Sequence, residues 1–216
     1  MTERGEGELS ALRGGLVASL APVRARSWGR EALGVLGIGA VQLAGFFYLQ
    51  TKGGVPDFLF EPMVLTKIAL FALAAVSLTV CAVRAFDPAA RGEGRAGVAI
   101  AMVVGGLSLA LLDRTRPAPG LVESLQPGIG IGALVIAQTL ALPVLLALLL
   151  AARGAAVTDR RRAGLLSGAA AGAWGILLYA VQCPMVSVWY VVPWYGGSVV
   201  LMALIAWAVV ARAVRW

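Results

Sequence analysis

Apolar residues in this chain form long continuous runs, and the short segments between the runs carry most of the charges and prolines. Each run approaches the length of about 20 apolar residues that an α-helix needs to cross a bilayer. None shows the alternation of apolar and polar residues that is typical of strands in a membrane barrel. The pattern predicts six membrane-spanning helices at Ala32–Leu49, Met63–Val83, Ala96–Leu112, Gly128–Ala152, Ala163–Val181 and Val188–Ala211.

Composition supports the same fold class. The chain is 60% apolar and 13% charged, with a net charge of +7, which leaves too little polar surface for a water-soluble fold. In hydrocarbon, helices satisfy their backbone groups within each segment. We predict an all-α integral membrane protein, with a six-helix transmembrane domain at residues 31–216 and a cytoplasmic partner-binding segment at residues 1–30.

Positive charge is divided unequally between the two sides of the predicted bundle. If the N-terminus is cytoplasmic, 14 of the 18 basic residues fall on inside segments, and the outside loops keep only Lys52, Arg114 and Arg116. An excess of Lys and Arg marks the cytoplasmic side of a membrane protein. Both termini are therefore predicted to be cytoplasmic. The basic balance is explained by this topology, so we expect no direct binding of nucleic acid.

The N-terminal segment carries an apolar stripe with helical spacing of 3, 4, 4 and 3 residues: Leu9, Leu12, Leu16, Leu20 and Val23. Gly14 and Gly15 interrupt this helix, and each costs about 1 kcal/mol relative to Ala. Such a helix would be marginal alone. Two interpretations remain open, namely a helix that orders in a partner's groove and a helix that lies on the membrane, with Arg13, Arg24 and Arg26 near anionic lipid.

Side chains suited to catalysis or metal binding are scarce. The chain has no His, no carboxylate pair within the runs and no Cys-x-x-Cys motif. We therefore expect no enzymatic activity, no cofactor and no metal site. Lys67 is the one charge inside a predicted span, which makes it a functional candidate by default. We predict instead that its long side chain reaches outer water, close to Glu61 or Asp57.

The two cysteines are predicted to lie near opposite sides of the membrane. Cys183 precedes Pro184 in the outer loop between spans five and six, whereas Cys81 lies near the inner end of span two. A disulfide needs Cα atoms within about 7 Å, which excludes a bond between them. Four aromatic residues follow Cys183 and are predicted to form an aromatic belt at the outer interface: Trp189, Tyr190, Trp194 and Tyr195.

Small residues predict close contacts between helices. Gly164, Gly168 and Gly172 recur every four residues, so they share one helix face and allow another backbone to approach. We expect packing within one chain, with association of identical chains as the alternative. Gln42 and Gln138 are suited to hydrogen bonds between helices.

The order of several short motifs resembles the NrsF family, the membrane-bound negative regulators of extracytoplasmic-function sigma factors in bacteria. The motifs are Leu20-Ala21-Pro22-Val23-Arg24 after the N-terminal helix, "VPDFLFEP" before span two, Lys67 early in that span, and "GAAAGAWGILLYA" leading to Cys183-Pro184. The resemblance covers nearly the whole chain. Two features differ, because Gln182 stands where the family usually has His, and "GIGIGALVIAQ" lacks the family's second outer Cys.

The resemblance implies an anti-sigma factor of the bacterial inner membrane that takes part in a stress response. Its N-terminal segment would bind the sigma factor through Leu9, Leu12, Leu16, Leu20, Pro22, Val23, Arg24 and Arg26. The six helices, embedded in the lipid bilayer, would release the sigma factor on an outside signal. We predict that Cys183 is a free, outward-facing thiol where this signal enters. The alternative for Cys183 is shielding by the rings of Trp189 and Tyr190.

A different functional class remains open. A small transporter or channel could use Lys67 and the glycine-lined helices as its path. A membrane enzyme is the third hypothesis. The genes next to this one would separate these classes, because an anti-sigma factor is expected beside a sigma-factor gene.

Overall fold

The computed structural model describes residues 27–87, 125–153 and 159–213, together with 155 and 157. The described residues form helices and no strands. In chain order the elements are α1 (Trp28–Thr51), a 3₁₀ turn (Asp57–Phe60), α2 (Pro62–Arg84), α3 (Pro127–Arg153), α4 (Arg160–Gln182), α5 (Val188–Val191), a π turn (Val192–Gly196) and α6 (Gly197–Ala213).

Local sequence signals explain several helix ends. Pro62 occupies the first turn of α2, where its missing N–H is not needed. Asp159 caps α4 by accepting a hydrogen bond from the Arg162 backbone N–H at 3.0 Å. The same helix ends at Gln182 because Pro184 disfavours helical geometry in the residue before it, and Cys183 is extended, with φ −106° and ψ 114°.

Five of the six predicted spans correspond to helices in the structure. The described residues contain five helices long and apolar enough to cross a membrane, the last one running continuously through α5, the π turn and α6. Their ends differ from the predicted ends by a few residues. The predicted third span, Ala96–Leu112, lies outside the described residues, so the structure gives no result for it.

Helix α4 lies at the centre of the bundle. It is the least apolar of the five candidate spans, yet most of its residues are buried. Its small residues allow α1, α2, α3 and α6 to pack around it. The other spans expose large apolar side chains on their outer surfaces. Burial in this bundle is therefore governed by residue size more than by hydropathy.

The predicted glycine face of α4 packs against the backbone of α6. A Cβ atom added at Gly168 would lie 2.5 Å from the Cα of Ala203 and in contact with the Met202 carbonyl oxygen. At Gly172 it would lie 2.9 Å from the Cα of Val199. Only glycine permits this approach. The expectation of packing within one chain is confirmed for this face.

Hydrogen bonds between helices add polar contacts to the apolar packing. Gln42 of α1 donates to the Leu140 carbonyl of α3 at 2.7 Å. Gln138 donates to both oxygens of Ser198 at 2.9 Å. The predicted interhelical role of both glutamines is confirmed.

The helix ends define two faces of the bundle. The first, named the Lys67 face, contains the end of α1 and the end of α4, which a hydrogen bond between Gln50 and Gln182 joins at 2.5 Å. The start of α2 lies on this face too. The start of α3 lies on this face as well. Trp194, near the start of the last span, donates its indole N–H to the Leu125 carbonyl just before α3, at 2.6 Å. The opposite Arg84 face contains the start of α1 and the end of α2.

Candidate functional site

The predicted partner-binding residues lie outside the described part of the chain. This applies to the whole set named from the sequence: Leu9, Leu12, Leu16, Leu20, Pro22, Val23, Arg24 and Arg26. Their arrangement remains a prediction. The described residues begin at Ser27, directly before α1.

Lys67 is buried, which corrects the prediction that its amine reaches outer water. Only 2% of the residue is exposed. Its ammonium group donates to the main-chain oxygen of Cys183 at 2.5 Å and to that of Met185 at 2.9 Å. Glu61 and Asp57, the carboxylates proposed as partners, are exposed instead. The prediction was wrong because the loop after α4 supplies hydrogen-bond acceptors inside the protein.

Electrostatics at the end of α4 explain why a lone buried cation is tolerated. The last carbonyl groups of a helix carry a partial negative charge, and cations near this end are stabilised. Pro184 ends α4 and holds the following chain extended, so the Cys183 carbonyl is free of the helix ladder. Lys67 therefore obtains two neutral acceptors and a helix C-terminus in place of a carboxylate.

Cys183 is a free thiol, as predicted, but it is buried. Its residue is 5% exposed, and its sulfur makes no disulfide. Cys81 is also unpaired. The expectation of an outward-facing thiol in contact with solvent is wrong, because the extended backbone at Cys183 turns the side chain into the bundle while Pro184 is exposed.

Three tyrosines surround the cysteine, so the alternative of shielding by aromatic rings describes Cys183 correctly. It packs in one apolar cluster with Tyr179, Tyr190 and Tyr195. Trp189, named earlier as a shield, is 43% exposed and lies outside this cluster. The shield therefore consists of tyrosines from α4 and from the last span.

Tyr195 is the centre of this aromatic cluster. Its ring centroid lies 5.4 Å from Phe71, 5.7 Å from Tyr179 and 6.0 Å from Tyr190, in tilted or edge-to-face arrangements. The Lys67 ammonium group lies 5.9 Å from the same ring centroid. Tyr190 and Tyr195 are fully buried. The prediction of an outer aromatic belt is therefore wrong for these two residues.

A π turn explains how both tyrosines face inward. Residues five positions apart on an α-helix point about 140° away from each other. Pro193 has no backbone N–H, and at this proline the helix widens into the π turn Val192–Gly196. The wider turn brings Tyr190 and Tyr195 to the same face. Single-turn π segments in α-helices are frequent at functional sites.

Polar groups in this cluster are incompletely satisfied. The Tyr190 and Tyr195 hydroxyl oxygens are buried and have no hydrogen-bond partner among the described residues. The same described residues contain no group of three His, Cys, Asp or Glu side chains that could hold a metal ion.

A second contact of interest lies on the Arg84 face. The guanidinium carbon of Arg84, in the last turn of α2, lies 4.6 Å from the ring centroid of Trp28. Trp28 is the first residue of α1. Cations stack favourably on indole rings at this distance. Helix α2 thus contacts the loop after α4 at one end and the start of α1 at the other.

An apolar groove runs between α1 and α2 near the Lys67 face. Its volume is about 580 Å³, and Leu43, Phe47, Leu59 and Val181 are among its lining residues. The lining is almost entirely apolar. It lacks the convergent polar groups that usually orient a small-molecule ligand.

The described fold defines a class of all-helical protein with five helices able to cross a membrane, held around one small-residue helix. A family model described as negative regulator of sigma F, NrsF, matches residues 16–216. The chain belongs to this family. Comparison with curated proteins and with solved structures gave no match.

Proposed function

We propose that the chain is a membrane-bound anti-sigma factor that holds an extracytoplasmic-function sigma factor through residues 1–30. The observation that carries this proposal is the family match over residues 16–216, a negative regulator of sigma F. The match begins at Leu16, so it includes the second half of the apolar stripe. A regulator of this kind acts by binding and needs no catalytic group.

The six-span topology is part of this proposal. Helix α2 ends on the Arg84 face, and α3 begins on the Lys67 face. A chain that leaves one face and returns on the other has to cross the bundle, and residues 96–112 are apolar enough to do so. With this crossing the chain would have six spans, and both termini would lie on the same side of the membrane.

Charge supports a cytoplasmic position for the Arg84 face in the inner membrane. Among the described residues, this face carries Arg84 and the arginines at the end of α3 and the start of α4: Arg153, Arg160, Arg161 and Arg162. The described chain begins at Ser27 on this face, so residues 1–26 would meet a cytoplasmic sigma factor. The Lys67 face would then receive an envelope signal.

A transporter or channel is less well supported by the described residues. The glycine face of α4 is filled by the backbone of α6, and Lys67 is engaged by two carbonyl groups of the loop. Among the described residues, neither the glycine face of α4 nor Lys67 therefore lines an open path. The family description also names a regulator.

Transcription controlled by the sigma factor tests this function. Deleting the gene should raise transcription from a promoter that depends on the sigma factor, and the full-length chain should restore repression. A Leu16→Asp/Leu20→Asp variant should fail to repress, because two carboxylates in an apolar groove cost several kcal/mol. The matched control is Ala11→Asp/Ala18→Asp, which adds the same charge on the opposite side of the helix. Repression by both double variants would reject the proposed binding face.

A further inference from the structure

Polar contacts at the two ends of helix α2 lie about 25 Å apart along its axis, at the 1.5 Å rise per residue of an α-helix. Lys67 near its start holds the loop after α4. Arg84 near its end stacks on Trp28. One rigid element thus touches the loop on the Lys67 face and the start of α1 on the Arg84 face.

The Lys67 contact depends on the position of one short loop. The two acceptors, the carbonyls of Cys183 and Met185, flank the exposed Pro184 in the five-residue connection between α4 and α5. Within the described residues they are the hydrogen-bond partners of the ammonium group. A buried cation without acceptors is strongly disfavoured. Moving this loop would therefore remove the hydrogen bonds that stabilise the charge of Lys67 on α2.

The Arg84 contact lies beside the predicted sigma-binding segment. Trp28 is the first residue of α1, within the segment at residues 1–30. Trp28 is 43% exposed, so its stack with Arg84 is a surface contact that a small movement of α2 can break. Helix α2 is one continuous helix from Pro62 to Arg84, so a displacement at its start is expected to reach its end.

We propose that α2 couples the loop at residues 183–187 to the partner-binding segment and that Lys67 is the coupling residue. When the loop withdraws its carbonyls, α2 shifts toward the Lys67 face so that the ammonium group reaches water. This movement separates Arg84 from Trp28 and alters the segment that holds the sigma factor. The inference rests on the proposed anti-sigma function and adds the element that transmits the signal.

The test uses the full-length chain in cells that lack the native gene, with a sigma-dependent reporter. Two glycines inserted after Gln182 move both carbonyls away from Lys67. The insertion should raise reporter output at least about fivefold, the lower end of typical coupling between sites. In a Lys67→Met chain, which carries no charge to be solvated, the same insertion should change output less than about twofold. Two glycines inserted after Gly53, in an exposed loop on the same face, are the control and should have no effect.

Variants at the opposite end of α2 provide an independent test in the same reporter assay. Arg84→Gln should raise reporter output without any change in the loop, whereas Arg153→Gln, at the end of α3, should leave it low. Equal responses to the loop insertion in the Lys67 and Lys67→Met chains would overturn the coupling role. So would repression that persists in Arg84→Gln.

Two measurements keep these outcomes interpretable. The amount of each variant in the membrane is determined by immunoblotting, and Lys67→Leu replaces Lys67→Met if the latter does not accumulate. Binding of the sigma factor to a peptide of residues 1–28 is measured separately. A peptide that binds while the variants show no coupling leaves the anti-sigma function in place and removes the role of α2.

Discussion

The ammonium group of Lys67 lies 2.5 Å from the main-chain oxygen of Cys183, although the two residues are 116 positions apart in the sequence. This bond joins the start of α2 to the end of α4, and a second bond to Met185 fixes the loop between α4 and α5. The side chain that looked like an isolated membrane charge thus links α2 to the loop after α4.

Replacement of Lys67 by Arg tests this buried geometry. A guanidinium group is larger than an ammonium group and planar, so Lys67→Arg should overpack the site and lower the free energy of unfolding by about 1–3 kcal/mol. Lys52→Arg, an exposed lysine near the same face, should be neutral. The measurement is unfolding of the purified protein in mixed detergent micelles. Equal stability of the two variants would favour a lysine that reaches water.

Thiol labelling tests the burial of Cys183. The folded protein should resist a membrane-impermeant maleimide in intact cells, because Cys183 is 5% exposed beneath three tyrosine rings. Unfolding in detergent should allow labelling. The control is Pro184→Cys in a Cys183→Ser chain, which places a thiol at the exposed neighbouring position. This control should be labelled in intact cells if the Lys67 face is outside, and labelling that required lysis would reverse the orientation.

The glycine face of α4 predicts a steep stability difference between glycines. Gly168→Ala should lower the free energy of unfolding by about 1–3 kcal/mol, since the new Cβ meets the backbone of α6. A Cβ atom added at Gly45 on α1 would meet no described residue within 4 Å. Gly45→Ala should therefore be neutral or slightly stabilising, because Ala favours a helix. Unfolding in mixed micelles measures both. A neutral Gly168→Ala would show that α4 and α6 are further apart than described.

A buried hydrogen bond between α2 and α4 gives a separate prediction. The Trp174 indole donates to the Thr79 hydroxyl at 3.0 Å, and that hydroxyl donates to the Ala75 carbonyl at 2.7 Å. Thr79→Val leaves the indole without its acceptor and should cost about 1–3 kcal/mol of unfolding free energy. Thr139→Val removes an exposed hydroxyl that donates to the Val135 carbonyl of its own helix, and it should have little effect. Similar costs for both would argue against the interhelical bond.

The sequence predicts most of the described fold because span length and small-residue spacing are local properties. A run of about 20 apolar residues indicates a helix wherever it packs, so the helix ends were predicted to within a few residues. The glycine repeat in α4 was recognised for the same reason. Its partner, α6, was not predicted, because spacing identifies a close contact and does not name the helix that makes it.

The candidate site was predicted less well, since it depends on contacts between distant segments. Periodicity alone does not place the loop carbonyls of Cys183 and Met185 next to Lys67. The inward turn of Tyr190 and Tyr195 requires a π turn, and only Pro193 hinted at it in the sequence. In the sequence, two Trp-Tyr pairs five positions apart resemble an interfacial belt. Only the π turn shows that both tyrosines face the interior.

Binding between a peptide of residues 1–28 and the purified sigma factor tests the central claim most directly. Fluorescence anisotropy should show saturable binding by the peptide, and a Leu16→Asp/Leu20→Asp peptide should bind at least about 100-fold more weakly, as expected when buried carboxylates cost more than 2.7 kcal/mol. The Ala11→Asp/Ala18→Asp peptide should bind like the unmodified peptide. Equal affinity of the Leu16→Asp/Leu20→Asp and unmodified peptides, or no binding by a peptide when the full-length chain does bind, would contradict the account.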